Sequence, residues 1–228
     1  MALYVLSLGG SLIVPEEINY SFLKKFKEFI QKRIQKKDKF IIVAGGGKTA
    51  RKYQNAANKI VKLDDSEKDW IGIHSTRLNA HLIKTIFKSN SYFKVIKEFE
   101  NELDQINFKE DILVAAGWKP GFSTDFVAVT LANKFKAKAV LNLSNIDYVY
   151  DKDPNKFEDA KKYENIPWTE FRKIVGDKWS PGMSAPFDPI ASKLAHESKL
   201  EVAIINGKDL DNLEEYFEGK KFKGTTIK

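Results

Sequence analysis

The chain has 228 residues, 43 % of them hydrophobic, and a formal charge of +7, enough length and apolar content to bury a core in one α/β domain or two small lobes. Its 38 basic residues are scattered among 31 acids, which favours a solvated lysine-rich surface over a nucleic-acid-binding stripe. Cysteine is absent, which excludes disulfides and thiolate metal sites, and no leader-like or long apolar run is present; a cytoplasmic protein with no nucleic-acid and no membrane partner is expected.

Short apolar runs alternate with amphipathic stretches along the chain. LYVLSL at 3–8 reads as a first strand. A helix is predicted over 17–36, where Phe22, Phe26, Phe29, Ile30 and Ile34 recur at helical spacing with lysines opposite. FIIVA at 40–44 is the next strand, followed by a helix over 66–88 carried by Ile71, Leu78, Leu82 and Ile86. DILVAA at 111–116 precedes a helix from Thr124 to Phe135, and AVLNLS at 139–144 precedes one that follows Asp188-Pro189, an acid at the cap with proline in the first turn. EVAIIN at 201–206 is the last predicted strand. Near-continuous apolar runs of this length predict strands buried on both faces. The βαβα order predicts a three-layer α/β/α sandwich with a mainly parallel sheet, formed by residues 1–228 as one domain with two subregions.

Open α/β sheets bind ligands beyond the carboxyl ends of their strands. Three of those ends are glycine-rich: LGGSL (Gly9, Gly10, Ser11), GGGKTAR (Gly45 to Arg51) and GWKPGFSTD (Gly117 to Asp125). GGGKTAR is similar to the P-loop of nucleotide triphosphatases, but the glycine required five positions before the Gly-Lys-Ser/Thr triplet is Ile42, inside the strand. A single turn of this kind is ordinary. Three on one sheet edge, one of them with Lys48 and Arg51, point to a ligand bearing several phosphates.

Lys48 and Arg51 oppose the dipole in the first turn of the following helix, an unfavourable placement that suggests function rather than mere exposure. Asp125 reads equally as a dipole-complementing acid behind a Ser123 or Thr124 cap. SNIDYVYDKDP at 144–154 sets Tyr148 and Tyr150 among Asn145 and Asp153, which suits either hairpin packing or a purine held by stacking and polar contacts. His74, His81 and His196 show no ligand spacing, so no metal site made by the protein alone is expected.

Together these motifs resemble the amino-acid kinase superfamily and, within it, the archaeal-type uridylate kinases. LGGSLIVPEE, GGGKTARKY, DWIGIHSTRLNA, KPGFSTDFVAVTLA, SNIDYVYDKDP, DPIASKLA and the closing GTTI occur in family order over nearly the whole length. The resemblance implies an α/β/α sandwich with the phosphoryl acceptor in the N-terminal part and ATP in the C-terminal part, transfer from ATP to UMP with Mg²⁺, and a homohexamer. It implies ATP contacts at Gly10, Ser11, Gly47 and Arg51 around the phosphates and at Ser144, Asn145, Tyr150 and Asp153 around adenosine. It implies UMP contacts at Gly46, Asp69, Trp118, Lys119, Pro120, Gly121, Phe122, Ser123 and Thr124. Lys48, Arg51 and Asp125 are the catalytic candidates, Asp125 as an organiser of cations or a metal-bound water.

Three departures from the family pattern stand out. Many relatives carry a lysine where Ser7 stands, and Lys48, Arg51 or Lys193 are candidates to replace its charge. Tyr148 occupies a position where glycine is usual, which would be strained if the backbone there had positive φ. KWSPGMSAPF lacks the expected run of small residues. Two rival readings follow: a nucleotide-binding or storage paralogue with reduced catalysis, and a kinase for another small acid such as isopentenyl phosphate, whose branch places a histidine where GGGKTAR has none.

Overall fold

The computed structural model describes residues 2–100, 103–178 and 185–228. Its N-terminal half runs β1 (Leu3–Leu8), α1 (Gly10–Ile13), α2 (Tyr20–Gln35), β2 (Lys39–Ala44), α3 (Gly47–Asn58), α4 (Asp65–Ile86) and β3 (Ile112–Ala115). Then come α5 (Thr124–Phe135), β4 (Ala139–Ser144), the short strands β5 (Val149–Tyr150), β6 (Lys162–Tyr163) and β7 (Asn165–Ile166), α6 (Trp168–Val175), α7 (Pro189–Glu197), β8 (Val202–Asn206), α8 (Leu210–Phe217) and β9 (Gly224–Ile227).

The seven-stranded sheet has the order β3-β2-β1-β4-β8-β9-β7. The five strands from β3 across to β8 are parallel, whereas β9 runs antiparallel to β8, with Val202 opposite Ile227. Side chains alternate across the sheet, so each apolar strand feeds two cores. Leu6, Ile42, Val114 and Leu141 face α2, α4 and α8, where Phe26, Ile30, Ile83 and Leu213 are buried. Val5, Ile41, Leu113 and Val140 face α5, α6 and α7, meeting Val127, Leu131, Phe171 and Ala195. The result is the expected three-layer sandwich.

Helix ends follow their local chemistry. Asn19 caps α2 by accepting from Phe22 N, and Asp64 caps α4 by accepting from Glu67 N. Ser123 rather than Thr124 caps α5, accepting from Phe126 N at 3.1 Å. Asp188 caps α7 through Ala191 N at 2.6 Å, with Pro189 in the first turn as the sequence predicts. Sequence periodicity does not delimit α6, α8 or β9, nor the two-residue strands β5 to β7, which are too short to show a period.

The chain builds β1, β2 and β3 outwards in one direction, then returns to lay β4 and β8 on the other side of β1. Strand order therefore reverses between β1 and β4, which opens a crevice beyond their carboxyl ends. Gly9 N donates to Leu143 O at 2.8 Å and fastens the two strand ends at that point.

Candidate active site

A cleft of ≈ 900 Å³ occupies this crevice. Its floor is made by Ser7, Gly9 and Gly10 after β1, Gly45 and Gly46 after β2, Thr124 and Asp125 at the start of α5, and Asn142 and Ser144 at the end of β4. Residues 145–148 and 150–155 form one wall, and Ile174, Val175, Ala185 and Pro186 complete the lining.

The first two glycine turns are pressed together. A Cβ at Gly10 would lie 1.9 Å from Gly47 N, and one at Gly47, where φ is +65°, would lie 2.3 Å from Gly10 O. No larger residue fits either position, because the two backbones touch. Each turn leads into a helix, α1 or α3, where the first N–H groups of a helix can meet an anion, although Lys48 N in the first turn of α3 already donates to Val14 O at 2.9 Å and Leu12 N in α1 to Gly9 O at 2.9 Å.

At the bottom of the cleft, Ser7 Oγ donates to Asp125 Oδ1 at 3.0 Å and Asp188 N donates to Asp125 Oδ2 at 3.2 Å. Asp125 keeps a partly accessible edge on the cleft, yet protein surrounds it so closely that desolvation, followed by repulsion from Asp188, raises its pKa to about 6. Burial also raises Asp188, against the hydrogen bonds it accepts from Ala191 N and Ser123. Asp125 is thus the carboxylate on the floor, with the buried Asp188 behind it, and the cation candidates lie elsewhere. Lys48 Nζ is 2.8 Å from Glu16 Oε1, Arg51 is exposed on α3, and Lys193 faces outward with Glu197 Oε1 4.0 Å away.

The predicted residues fall into three groups. Gly10, Gly46, Thr124, Ser144, Asn145, Tyr150 and Asp153 line the cleft with Asp125. Ser144 Oγ accepts from Ile146 N at 3.4 Å, and Asp153 Oδ1 accepts from Asn155 N at 3.0 Å. A second group gathers beside α4. Asp69 Oδ2 accepts from Gly121 N at 2.8 Å, and burial raises its carboxyl despite that bond. The Trp118 and Phe122 rings pack tilted at 4.8 Å, Phe122 continues to Phe126 at 4.7 Å, and Lys119 Nζ stands 4.2 Å from the Trp118 centroid. Pro120 completes this loop, whose Ser123 begins α5. Ser11, Gly47, Lys48 and Arg51 flank the cleft without lining it.

Several participants escape sequence reasoning. Arg77 Nη2 donates to the Trp118 carbonyl at 2.8 Å, so α4 grips the 118–121 loop at two points, through Asp69 and Arg77. Asp147 is tied to Lys223 Nζ at 2.6 Å and to Asn206 Nδ2 at 2.9 Å, and Lys223, then Asn206, hold it below the usual carboxylate range. Asn142 Nδ2 donates to Pro186 O at 3.1 Å across the cleft floor. These links join residues far apart in sequence, and no local pattern announces them. The atypical KWSPGMSAPF segment falls mostly outside the described residues.

Residues 2–206 match the model of the amino acid kinase family. A uridylate kinase of Thermococcus kodakarensis is 35 % identical over 224 residues, covering 98 % of both chains. One of Pyrococcus abyssi is 36 % identical over the same span and coverage. Among solved structures, a uridylate kinase from Archaeoglobus fulgidus superposes with a TM-score of 0.82 at 30 % identity, covering 100 % of both chains. A UMP kinase from Ureaplasma parvum, 23 % identical with a TM-score of 0.78, shares the fold. With its reversed strand order, paired glycine turns and carboxylate-floored cleft, the chain belongs to the amino acid kinase family.

Proposed function

We propose that this protein is a UMP kinase that transfers the γ-phosphoryl group of ATP to UMP, giving ADP and UDP. The observation that carries this reading is the cleft at the β1/β4 crossover, floored by two interlocked glycine turns, in a chain whose uridylate kinase relatives match it from end to end.

The acceptor is a phosphate whose second ionisation lies near pH 6, so it is already a dianion at neutral pH and requires no general base. The work of the site is to align two anions that repel each other and to spread charge over the transferring group. In this reading the turns at Gly10, Ser11 and Gly47 cradle the donor phosphates, with Arg51 at their edge. Ser144, Asn145, Tyr150 and Asp153 receive the adenosine. Gly46, Asp69 and the 118–124 loop receive UMP; Asp69 retains Oδ1 for a ribose hydroxyl while Oδ2 holds Gly121. Lys48 becomes available to the phosphates by leaving Glu16, an exposed pairing of small energy.

Mg²⁺ fits this site as a passenger of the nucleotide. Among the described residues no group of three or more His, Asp or Glu side chains could hold a metal alone, whereas Mg²⁺ commonly takes one or two carboxylates and completes its shell with phosphates and water. Asp125, beside Asp188, is the carboxylate placed to meet it or its water. When bound, the ion neutralises phosphate charge. Self-association, with a homohexamer as the family's usual form, is part of the same proposal. Among the described residues no helix is long and apolar enough to cross a membrane.

ADP release measured with Mg-ATP and UMP, CMP, AMP or isopentenyl phosphate tests the reading. Turnover is expected with UMP. ATP binding without turnover on any acceptor identifies a catalytically reduced paralogue instead, and preference for isopentenyl phosphate identifies the other kinase branch.

A further inference from the structure

The wall of the cleft contains an aromatic ring that neither the phosphate turns nor the carboxylate floor explains. Tyr148 lines the cleft and is half-buried. Its backbone is unstrained, since the described non-glycine residues with positive φ are Lys37, Lys136 and Lys199. The next residue, Val149, is fully buried and its N–H donates to Thr225 Oγ1 at 2.9 Å, so the chain beneath the ring is anchored. Above the ring, Lys162 Nζ stands 4.3 Å from the centroid. Lys162 does not itself line the cleft, which leaves the ring's remaining surface turned towards the ligand space.

An aromatic ring on an anchored backbone, with an ammonium over one face, loses little freedom when a flat group settles against its other face. The phosphates of a nucleotide are drawn to the glycine turns of the floor, which directs the base to the wall where Tyr148 stands. Ile174 and Val175 add apolar surface to the lining of the same cleft. A nucleobase stacks well in such a place, and a two-ring purine covers more of the tyrosine than a one-ring pyrimidine.

We infer that Tyr148 determines donor specificity by stacking against the base of the nucleoside triphosphate and favouring purines. This rests on the kinase reading only in taking the cleft's occupant to be the phosphoryl donor. Asn145 and Asp153, exposed on the same wall, supply polar partners for the nucleoside edge.

Titration calorimetry of the full-length protein with Mg-ATP, Mg-CTP and magnesium tripolyphosphate tests this, using wild type, Tyr148→Ala and Tyr148→Phe. Tyr148→Ala is expected to weaken ATP about tenfold and CTP about threefold, and to leave tripolyphosphate unchanged, because the turns alone bind it. Tyr148→Phe, which keeps the ring, should stay within about twofold of wild type for ATP. Equal loss of ATP and tripolyphosphate affinity overturns the inference, since it marks a general disturbance of the cleft. Unchanged ATP affinity in Tyr148→Ala overturns it too. A parallel turnover assay with UMP separates the two readings. UMP turnover combined with unaltered ATP affinity in the alanine variant defeats the inference alone. ATP affinity that depends on Tyr148 without UMP turnover defeats the proposed acceptor and supports the inference.

Discussion

Ser7 Oγ donates a 3.0 Å hydrogen bond to Asp125 Oδ1, joining the end of the first strand to the first turn of α5 across 118 residues of sequence. A hydroxyl can hold a carboxylate in place, but it cannot neutralise it. Asp125 therefore remains a costly buried acid beside Asp188, with its pKa raised to about 6.

That cost has a pH dependence. In the unfolded chain the carboxyl titrates at its ordinary 3.8, and in the fold at about 6. Between those values the folded protein holds a proton that the unfolded chain has released, so stability falls as pH rises through the window and levels off above it. The burial of the ionised form costs up to about 3 kcal/mol above pH 7. Asp125→Asn is expected to be more stable than wild type at pH 8 by about 1–3 kcal/mol and equal to it at pH 4, while kcat drops by about two orders of magnitude through loss of the carboxylate that organises the metal ion or its water. Urea denaturation at pH 4, 6 and 8 checks the first part, and a stability difference independent of pH would refute it.

Ser7→Ala removes the donor that lowers Asp125's pKa. The acid limb of the kcat/KM profile for ATP should then move to higher pH by about half a unit to one unit, because a hydrogen bond to the charged form is lost. UMP's own ionisation is common to both enzymes and cancels in the comparison. Ser7→Thr, which keeps the hydroxyl, should restore the wild-type limb.

Arg77 and Asp69 hold the 118–121 loop from α4, through the Trp118 carbonyl and the Gly121 amide. Arg77→Met keeps much of the side-chain volume and loses the hydrogen bond. It is expected to raise the KM for UMP about tenfold, the worth of one or two kcal/mol of positioning, with the KM for ATP within about twofold of wild type. Equal rises in both KM values would show that the loop does not act on the acceptor alone.

Gly10→Ala sets a methyl 1.9 Å from Gly47 N, against backbone that cannot yield as a flexible side chain would. The expected loss of stability is about 3 kcal/mol, at the upper end of overpacking costs, together with the loss of ATP and tripolyphosphate binding. Gly121→Ala serves as the control. Nothing lies within 4 Å of its added Cβ, but φ is +87°, so it should cost only about 1–2 kcal/mol of local strain and leave ATP binding intact. Urea midpoints and calorimetry on the two variants check both expectations.

Sequence by itself determined the layers of this protein. Apolar strands such as FIIVA and AVLNLS, and the helical spacing of Phe22, Phe26, Phe29 and Ile30, record burial directly, because each neighbour in sequence is a neighbour in the element. The glycine turns were legible for the same reason, each being a local demand on the backbone at the end of a strand. Tertiary structure alone decided which turns touch, since the contact of Gly10 with Gly47 depends on β1 and β2 being adjacent. It also put Ser7 rather than a cation on Asp125, drew Lys48 to Glu16, and placed Tyr148 without positive φ on the wall of the cleft. These relationships depend on distance and desolvation between residues that are tens to more than a hundred positions apart, and a one-dimensional pattern carries neither quantity.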